Sequence, residues 1–235
     1  MREAYEASRK TYGYRRIAIW IQKNKGVSIN HKAVLRLMKK MNIRSVARKG
    51  KAFKRPKSTD QYHRYENILD RDFTASRPNE KWVTDITYIT TRQGWAYLSV
   101  IKDLFDSFIV GHRISLDSST ELVLDTLKDA KKKEEITQGL LLHSDQGFQY
   151  TSHAYFDLTK KYHISPSMSR RGNCWDNASM ENFFGHFKEE ALRQFPTPTF
   201  EEAKKIVDDY ICFYNYERIQ LKTRQAPYEL RCLSR

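Results

Sequence analysis

Along the first stretch of the chain, apolar side chains recur at helical spacing. Ile17, Trp20 and Ile21 line one side of a segment that starts after Gly13. Val34, Leu35, Met38 and Met41 line one side of a second segment, which Ser28 or Asn30 can cap. Lys25 and Gly26 between them read as a turn, and Arg36, Lys39 and Lys40 fall on the face of the second helix opposite its apolar stripe. Two short helices joined in this way predict either a helix-turn-helix or an ordinary helical hairpin, and the pattern alone does not separate the two.

The pattern changes after Arg77 and Pro78. Residues 81–91 (KWVTDITYITT) are rich in β-branched and aromatic side chains and predict a strand. Gly94 marks a turn, residues 95–101 a second strand, and residues 107–115 a third, which together make an antiparallel meander. Residues 119–135 are helical, with Leu122, Val123, Leu127 and Ala130 on one side. A short buried strand at residues 139–142 ends in HSDQG, a helix follows through Tyr155, Phe156 and Leu158, another runs from about Asp176 with Asp176 or Asn177 as its cap, and a last one covers residues 199–218. Strands first, then strands alternating with helices, predict an α/β fold in which helices flank a mixed sheet. The expected division is a small all-α module at residues 1–57 and an α/β domain at residues 77–235.

Charge sharpens this division. The net charge is +14, yet residues 1–57 hold 18 Lys and Arg against 2 acids, while the remainder holds 24 against 26. A basic module beside a nearly neutral domain is the electrostatic footprint of a nucleic-acid binder. Its candidate DNA contacts are Arg15, Arg16, Lys32, Arg36, Lys39 and Lys40, and the cation-rich residues 44–57 read as a linker that follows phosphates. Cys174, Cys212 and Cys232 form no CxxC pair, which argues against a disulfide framework or a cysteine zinc site and fits a reducing cytoplasm. No apolar run approaches the ~20 residues that span a bilayer, so no membrane association is expected.

Three acids carry candidate chemistry. Asp85 interrupts an otherwise buried strand, where a carboxylate needs a partner; a strand-edge Asp meeting a lysine or a backbone amide would explain it equally well. Asp145 follows GLLLHS at a strand end, where ligands bind in open α/β sheets, or it simply forms the turn and caps the next helix. Glu181 lies on a helix that puts Asn177, Glu181, Phe184 and Lys188 on one face, with solvated surface residues as the plain alternative. Three hard oxygen donors suit Mg²⁺ or Mn²⁺, two of which can serve an in-line phosphoryl displacement. His143 is expected to orient that site or to pack, and Trp82, Trp95 and Trp175 to be core more readily than base-stacking residues.

The blocks WVTDITYI, LLHSDQGFQY and MSRRGNCWDNASMENFFGHFKEE, in this order, resemble the catalytic domain shared by retroviral integrases and bacterial DDE transposases. They are most similar to the second-frame protein of a large family of two-frame insertion sequences. The spacing of 35 residues between Asp145 and Glu181 and the trailing Lys188 support the likeness, as do YGYRRI at one end and YNYERIQ with APYEL at the other. The resemblance implies an RNase H-like fold with a preceding helix-turn-helix. It also implies that Asp85, Asp145 and Glu181 are catalytic and hold two Mg²⁺ or Mn²⁺ ions, and that Lys188 contacts the element's end. The implied reaction is metal-dependent DNA strand cleavage followed by 3′-hydroxyl strand transfer. Implied partners are double-stranded DNA at the element ends and at the target, further copies of the chain, and an upstream-frame protein joined by frameshifting. An endonuclease without joining activity and a DNA-binding regulator with an inactive catalytic domain are the alternatives.

Overall fold

The computed structural model describes residues 1–45, 63–135 and 139–233; most of the expected linker at residues 44–57 lies outside them. Three helices come first, α1 (Arg2–Ala7), α2 (Tyr14–Lys25) and α3 (His31–Lys40). The stop of α2 is Gly26, whose φ of 66° is the left-handed conformation that glycine adopts without steric cost, and whose N–H returns to the Gln22 carbonyl. Asn30 rather than Ser28 starts α3, its side chain accepting from the Lys32 N–H at 2.8 Å. Ile17, Val34 and Met38 are buried as the spacing predicts. The short α1, which buries only Ala4, has no periodic signal to announce it.

The sheet has five strands in the order β3-β2-β1-β4-β5. They are β1 (Lys81–Thr91), β2 (Gly94–Asp103), β3 (Ile109–Ser115), β4 (Leu141–Ser144) and β5 (Ser165–Met168). The first three form the expected antiparallel meander, and β4 and β5 add in parallel. On one face α4 (Thr120–Lys133) and α5 (His153–Lys161) cover Trp82, Ile101, Val110 and Leu142. On the other, α6 (Ala178–Glu190) and α7 (Phe200–Tyr216) cover Val83, Val100 and Ile109. At α7 the Thr199 side chain accepts from the Glu202 N–H and Glu202 accepts from the Thr199 N–H, a reciprocal cap that fixes its first turn. β5 reads Ser-Pro-Ser-Met and lacks an apolar run; as an edge strand it pairs on one side only, which tolerates Pro166.

The N-terminal helices dock onto the rest of the chain. Tyr12, Ile17, Val34 and Met38 share one hydrophobic core with Phe213 and Tyr214 of α7. The Tyr12 hydroxyl accepts from the Ile219 N–H at 2.6 Å, and it donates to the Glu217 carbonyl at 3.1 Å. The short α8 (Pro227–Leu233) closes the molecule through Arg231, a buried guanidinium that donates to Asp103, Asp106, Glu134 and Asn79. Among the described residues no helix is long and apolar enough to cross a membrane.

Candidate active site

Asp85 is 2% exposed on β1, the central strand and not an edge strand, but it does meet a backbone amide, as the plainer explanation expects. Its Oδ1 accepts from the Ile86 N–H at 2.8 Å. β1 and β4 run parallel with Trp82 opposite Leu142 and Val83 opposite His143. Asp85 and Asp145 each lie two residues beyond that last pair, Asp145 just past the end of β4 at Ser144. Residues in register on parallel strands point to the same side of the sheet, and neighbouring strands lie about 4.8 Å apart. Both acids thus lie near the point where β4 ends. Both acids are felt at Tyr150: burial first, then the charges of Asp85 and Asp145, push its phenol well above the ordinary tyrosine range.

The turn after β4 is built around Asp145. Its Oδ1 accepts from the Gly147 N–H at 3.0 Å, and a Cβ at Gly147 would lie 3.0 Å from that same oxygen and from Gln149 Oε1, so a side chain there would push one of these groups aside. Ser152, not Asp145, caps α5, its hydroxyl accepting from the Tyr155 N–H at 3.2 Å. His143 is fully buried between the Ser167 and Ser169 hydroxyls, at 2.9 and 3.0 Å. Burial pulls its pKa down to about 4, so it is neutral at neutral pH and serves to join β4 to β5 and the loop beyond it.

The approach to α6 differs from the expected capped start. A 3₁₀ turn, Cys174–Asn177, precedes the helix, and neither Asp176 nor Asn177 caps it with its side chain. Asp176 is instead a buried anchor: it accepts from Arg170 Nε and Nη2 at 2.9 Å each, from the Arg170 N–H at 3.0 Å, from Arg71 Nε at 2.8 Å and from Asn67 at 3.2 Å. The Arg170 hydrogen bonds above all, and then Arg71, hold its carboxyl far below the usual range. Asn177 donates through Nδ2 to the Thr84 carbonyl at 3.2 Å, which ties the start of α6 to the strand residue beside Asp85. Its Oδ1 is buried and accepts no hydrogen bond. Within the first turn, Lys102 donates from Nζ to the Ser179 carbonyl at 2.7 Å.

Glu181 is exposed on that turn. Asp85 and Asp145 both lie near the end of β4, Glu181 is carried on the adjoining helix, and among the described residues no three His, Cys, Asp or Glu side chains are grouped closely enough to hold an ion. Lys188, two turns further, is half-buried with its ammonium 4.4 Å from the centre of the Tyr88 ring. Sequence reasoning missed the anchoring roles of Asp176, Asn177 and Lys102; the ArgArg pair at 170–171 ahead of Asp176 was the available signal.

Of the basic residues on the helical module, Arg15, Lys32, Arg36, Lys39 and Lys40 are exposed. Arg16 is not available in the same way. Its Nε donates to the Ile219 carbonyl at 2.9 Å, and burial lowers its pKa, so it fastens the module rather than facing outward. The tryptophans divide as well: Trp82 is fully buried, whereas Trp95 is 47% and Trp175 70% exposed, against the expectation that all three are core.

An HTH-like domain model matches residues 1–51, and integrase core domain models match residues 75–174 and 181–232. In Escherichia coli K12, InsK of insertion sequence element IS150, described as a transposase, is 39% identical over 230 residues, which span 94% of this chain and 77% of InsK. The transposase InsF of IS3A from the same organism is 33% identical over 218 residues, spanning 90% of this chain and 73% of InsF. Among solved structures, the magnesium-bound catalytic core domain of HTLV-2 integrase superposes with a TM-score of 0.54 at 16% identity, over 66% of this chain and 98% of that one. A simian T-cell lymphotropic virus intasome bound to the PP2A regulatory subunit B56 gamma superposes with a TM-score of 0.58 at 13% identity, over 91% of this chain and 74% of that one. The structural likeness establishes the RNase H-like fold expected for an integrase core, and the sequence likeness covers nearly the whole chain. The chain belongs to the integrase-core transposases of bacterial insertion sequences.

Proposed function

We propose that Asp85, Asp145 and Glu181 are the catalytic acids of this transposase, and that they hold two Mg²⁺ or Mn²⁺ ions. The reading is supported by the positions of Asp85 and Asp145, each two residues past the last pair of the adjacent parallel strands β1 and β4, with the Tyr150 phenol near both. An all-oxygen set of this kind suits a hard divalent cation. The unpaired Asn177 Oδ1 beside β1 adds another oxygen acceptor of the right kind. When bound, such ions activate an attacking hydroxyl and stabilise the departing oxygen of a phosphodiester.

The remaining work falls to the chain itself. Asn177 and Lys102 hold the first turn of α6 against the sheet, so Glu181 is delivered from a fixed support. Lys188 grips a phosphate next to the cleaved bond, with Tyr88 orienting its ammonium. Arg15, Lys32, Arg36, Lys39 and Lys40 engage the duplex, with residues 1–57 acting as the DNA-binding module and residues 77–235 as the catalytic domain. The reaction is cleavage of a strand at the element's end followed by attack of the freed 3′-hydroxyl on a target phosphodiester, without a covalent enzyme intermediate. Several copies of the chain bridge the two ends, and fusion to an upstream-frame protein supplies further contacts.

The test incubates the purified chain with labelled element-end DNA in Mg²⁺ or EDTA, beside Asp85→Asn and Glu181→Gln. Metal-dependent cleavage and joining, abolished by either substitution while DNA binding survives, is the expected result. Cleavage without joining would make it a simple nuclease, and binding without cleavage would make it a regulator.

A further inference from the structure

The ladder between β1 and β4 ends at Val83 and His143, two residues short of Asp85 and Asp145, so past that point the pairing of those strands no longer sets one acid relative to the other. Tyr150 spans the gap. Its ring is buried and stands edge-on to Tyr155, with centroids 5.5 Å apart. Its backbone belongs to the turn of Asp145: the Tyr150 N–H donates to the Gly147 carbonyl at 3.1 Å, and the Gly147 N–H donates to Asp145 Oδ1. Its hydroxyl lies 3.3 Å from Thr84 Oγ1, on the residue before Asp85. The Thr84 hydroxyl hydrogen is already committed to the Val100 carbonyl at 2.9 Å, so Tyr150 is the donor of the bond between them. Thr84 is also the residue whose carbonyl takes Asn177 Nδ2 from the start of α6, and Val100 is the β2 partner of Asp85.

A phenylalanine would fill this space as well. A buried hydroxyl costs free energy unless it is bonded, so the oxygen of Tyr150 is explained by its bond to Thr84 and not by packing. Burial above all, and then the charges of the two acids, keep the phenol protonated, so it adds no charge of its own beside them. We propose that Tyr150 is a positioning residue for the acidic site: through its hydroxyl on Thr84 and its backbone in the Asp145 turn, it fixes the strand of Asp85 against the turn of Asp145. This rests on the reading of Asp85, Asp145 and Glu181 as metal-binding acids. It adds a residue that touches neither the ion nor DNA but sets how tightly the ion is held.

The test reads Mn²⁺ binding to the full chain without DNA, from the loss of the free-ion electron paramagnetic resonance signal, beside cleavage of labelled element-end DNA over a Mn²⁺ titration. Tyr150→Phe removes one oxygen. It is expected to weaken Mn²⁺ binding on the order of tenfold and to move the Mn²⁺ midpoint of cleavage by the same factor, with DNA affinity and the rate at saturating Mn²⁺ near the wild type. Thr84→Val breaks the same bond from the strand side and should weaken Mn²⁺ binding as well, the double variant being no weaker than the more affected single one, and Thr84→Ser should bind as the wild type does. Gly111→Ala, a destabilising change between β3 and α4, is the control for stability alone. Unchanged Mn²⁺ binding in Tyr150→Phe, additive losses in the double variant, or an equal loss in Gly111→Ala would overturn the proposal. Asp85→Asn separates the two readings: if it binds Mn²⁺ like the wild type, the acidic site itself is refuted, whereas weak binding in Asp85→Asn beside full binding in Tyr150→Phe refutes only the strut.

Discussion

Lys102 Nζ lies 2.7 Å from the Ser179 carbonyl, which puts a buried lysine of β2 under the first turn of the helix that carries Glu181. Burial, and then repulsion from Arg218, pull its pKa down to about 7. Since an exposed lysine titrates near ~10.4, the unfolded chain binds more protons than the folded one between these values. Stability therefore rises as pH increases from about 7 toward the unfolded value, and below about 7 the cost of the buried ammonium is fully present. Lys102→Met removes that cost. The variant should melt higher than the wild type at neutral pH, on the order of 5 °C, and its advantage should shrink by about 2 kcal/mol between roughly pH 7 and 9. Denaturant melts of both proteins at the two pH values check this; an advantage that grows with pH would refute it.

At the other end of α6, Arg218 donates twice to Glu190, at 2.7 Å from both nitrogens, and Tyr210 adds a third bond at 2.9 Å. Burial pushes the Glu190 carboxyl up, but the Arg218 bonds and charge outweigh it and leave it below its ordinary value. Removing one partner strands the other charge in the interior. Glu190→Gln should destabilise by about 3 to 5 kcal/mol, whereas Glu190→Leu combined with Arg218→Met should cost much less than the sum of the single changes. Chemical denaturation of the three variants measures both.

Asp176 anchors the loop ahead of α6 without being one of the three acids. Asp176→Asn keeps its size but gives up the charge that holds Arg170 and Arg71. Cleavage should fall on the order of tenfold, through misplacement of Glu181, while the affinity for fully paired duplex changes little. Equal loss of affinity and rate would assign Asp176 to DNA binding instead.

Where β3 meets α4, a Cβ on Gly111 would lie 2.9 Å from the Thr126 carbonyl oxygen and 3.0 Å from the Ala130 Cβ. Backbone cannot yield as a flexible side chain does, so Gly111→Ala should cost about 1 to 3 kcal/mol. A thermal melt within error of the wild type would show that α4 shifts freely.

The elements that positioned the acids were legible where periodicity was strong. Val83 and Ile89 with their β-branched neighbours marked β1, and Leu140 to Leu142 marked the approach to β4. What could not be read was the register that sets Val83 beside His143 and so brings the segments of Asp85 and Asp145 onto neighbouring strands, because parallel pairing joins segments some sixty residues apart and nothing local encodes it. β5 was hidden because Ser-Pro-Ser-Met has no apolar alternation and is held through Ser167, which bonds both His143 and the Leu69 N–H. The function of Asp176 was masked by a commoner use of Asp, since an acid just before a helix ordinarily caps it. Trp175 misled for a similar reason: composition counts an indole toward the core regardless of which way the loop aims it.

The docking of α2 and α3 onto α7 and the Ile219 backbone, through Tyr12 and Arg16, has a metric consequence. A duplex gripped by the outer face of α3 would lie at a set distance from Asp85, because the two surfaces belong to one solid body. The protein would then act as a ruler, counting base pairs from the sequence it reads to the bond it cuts, and loosening Tyr12 would blur the position of the cut before it weakened the grip.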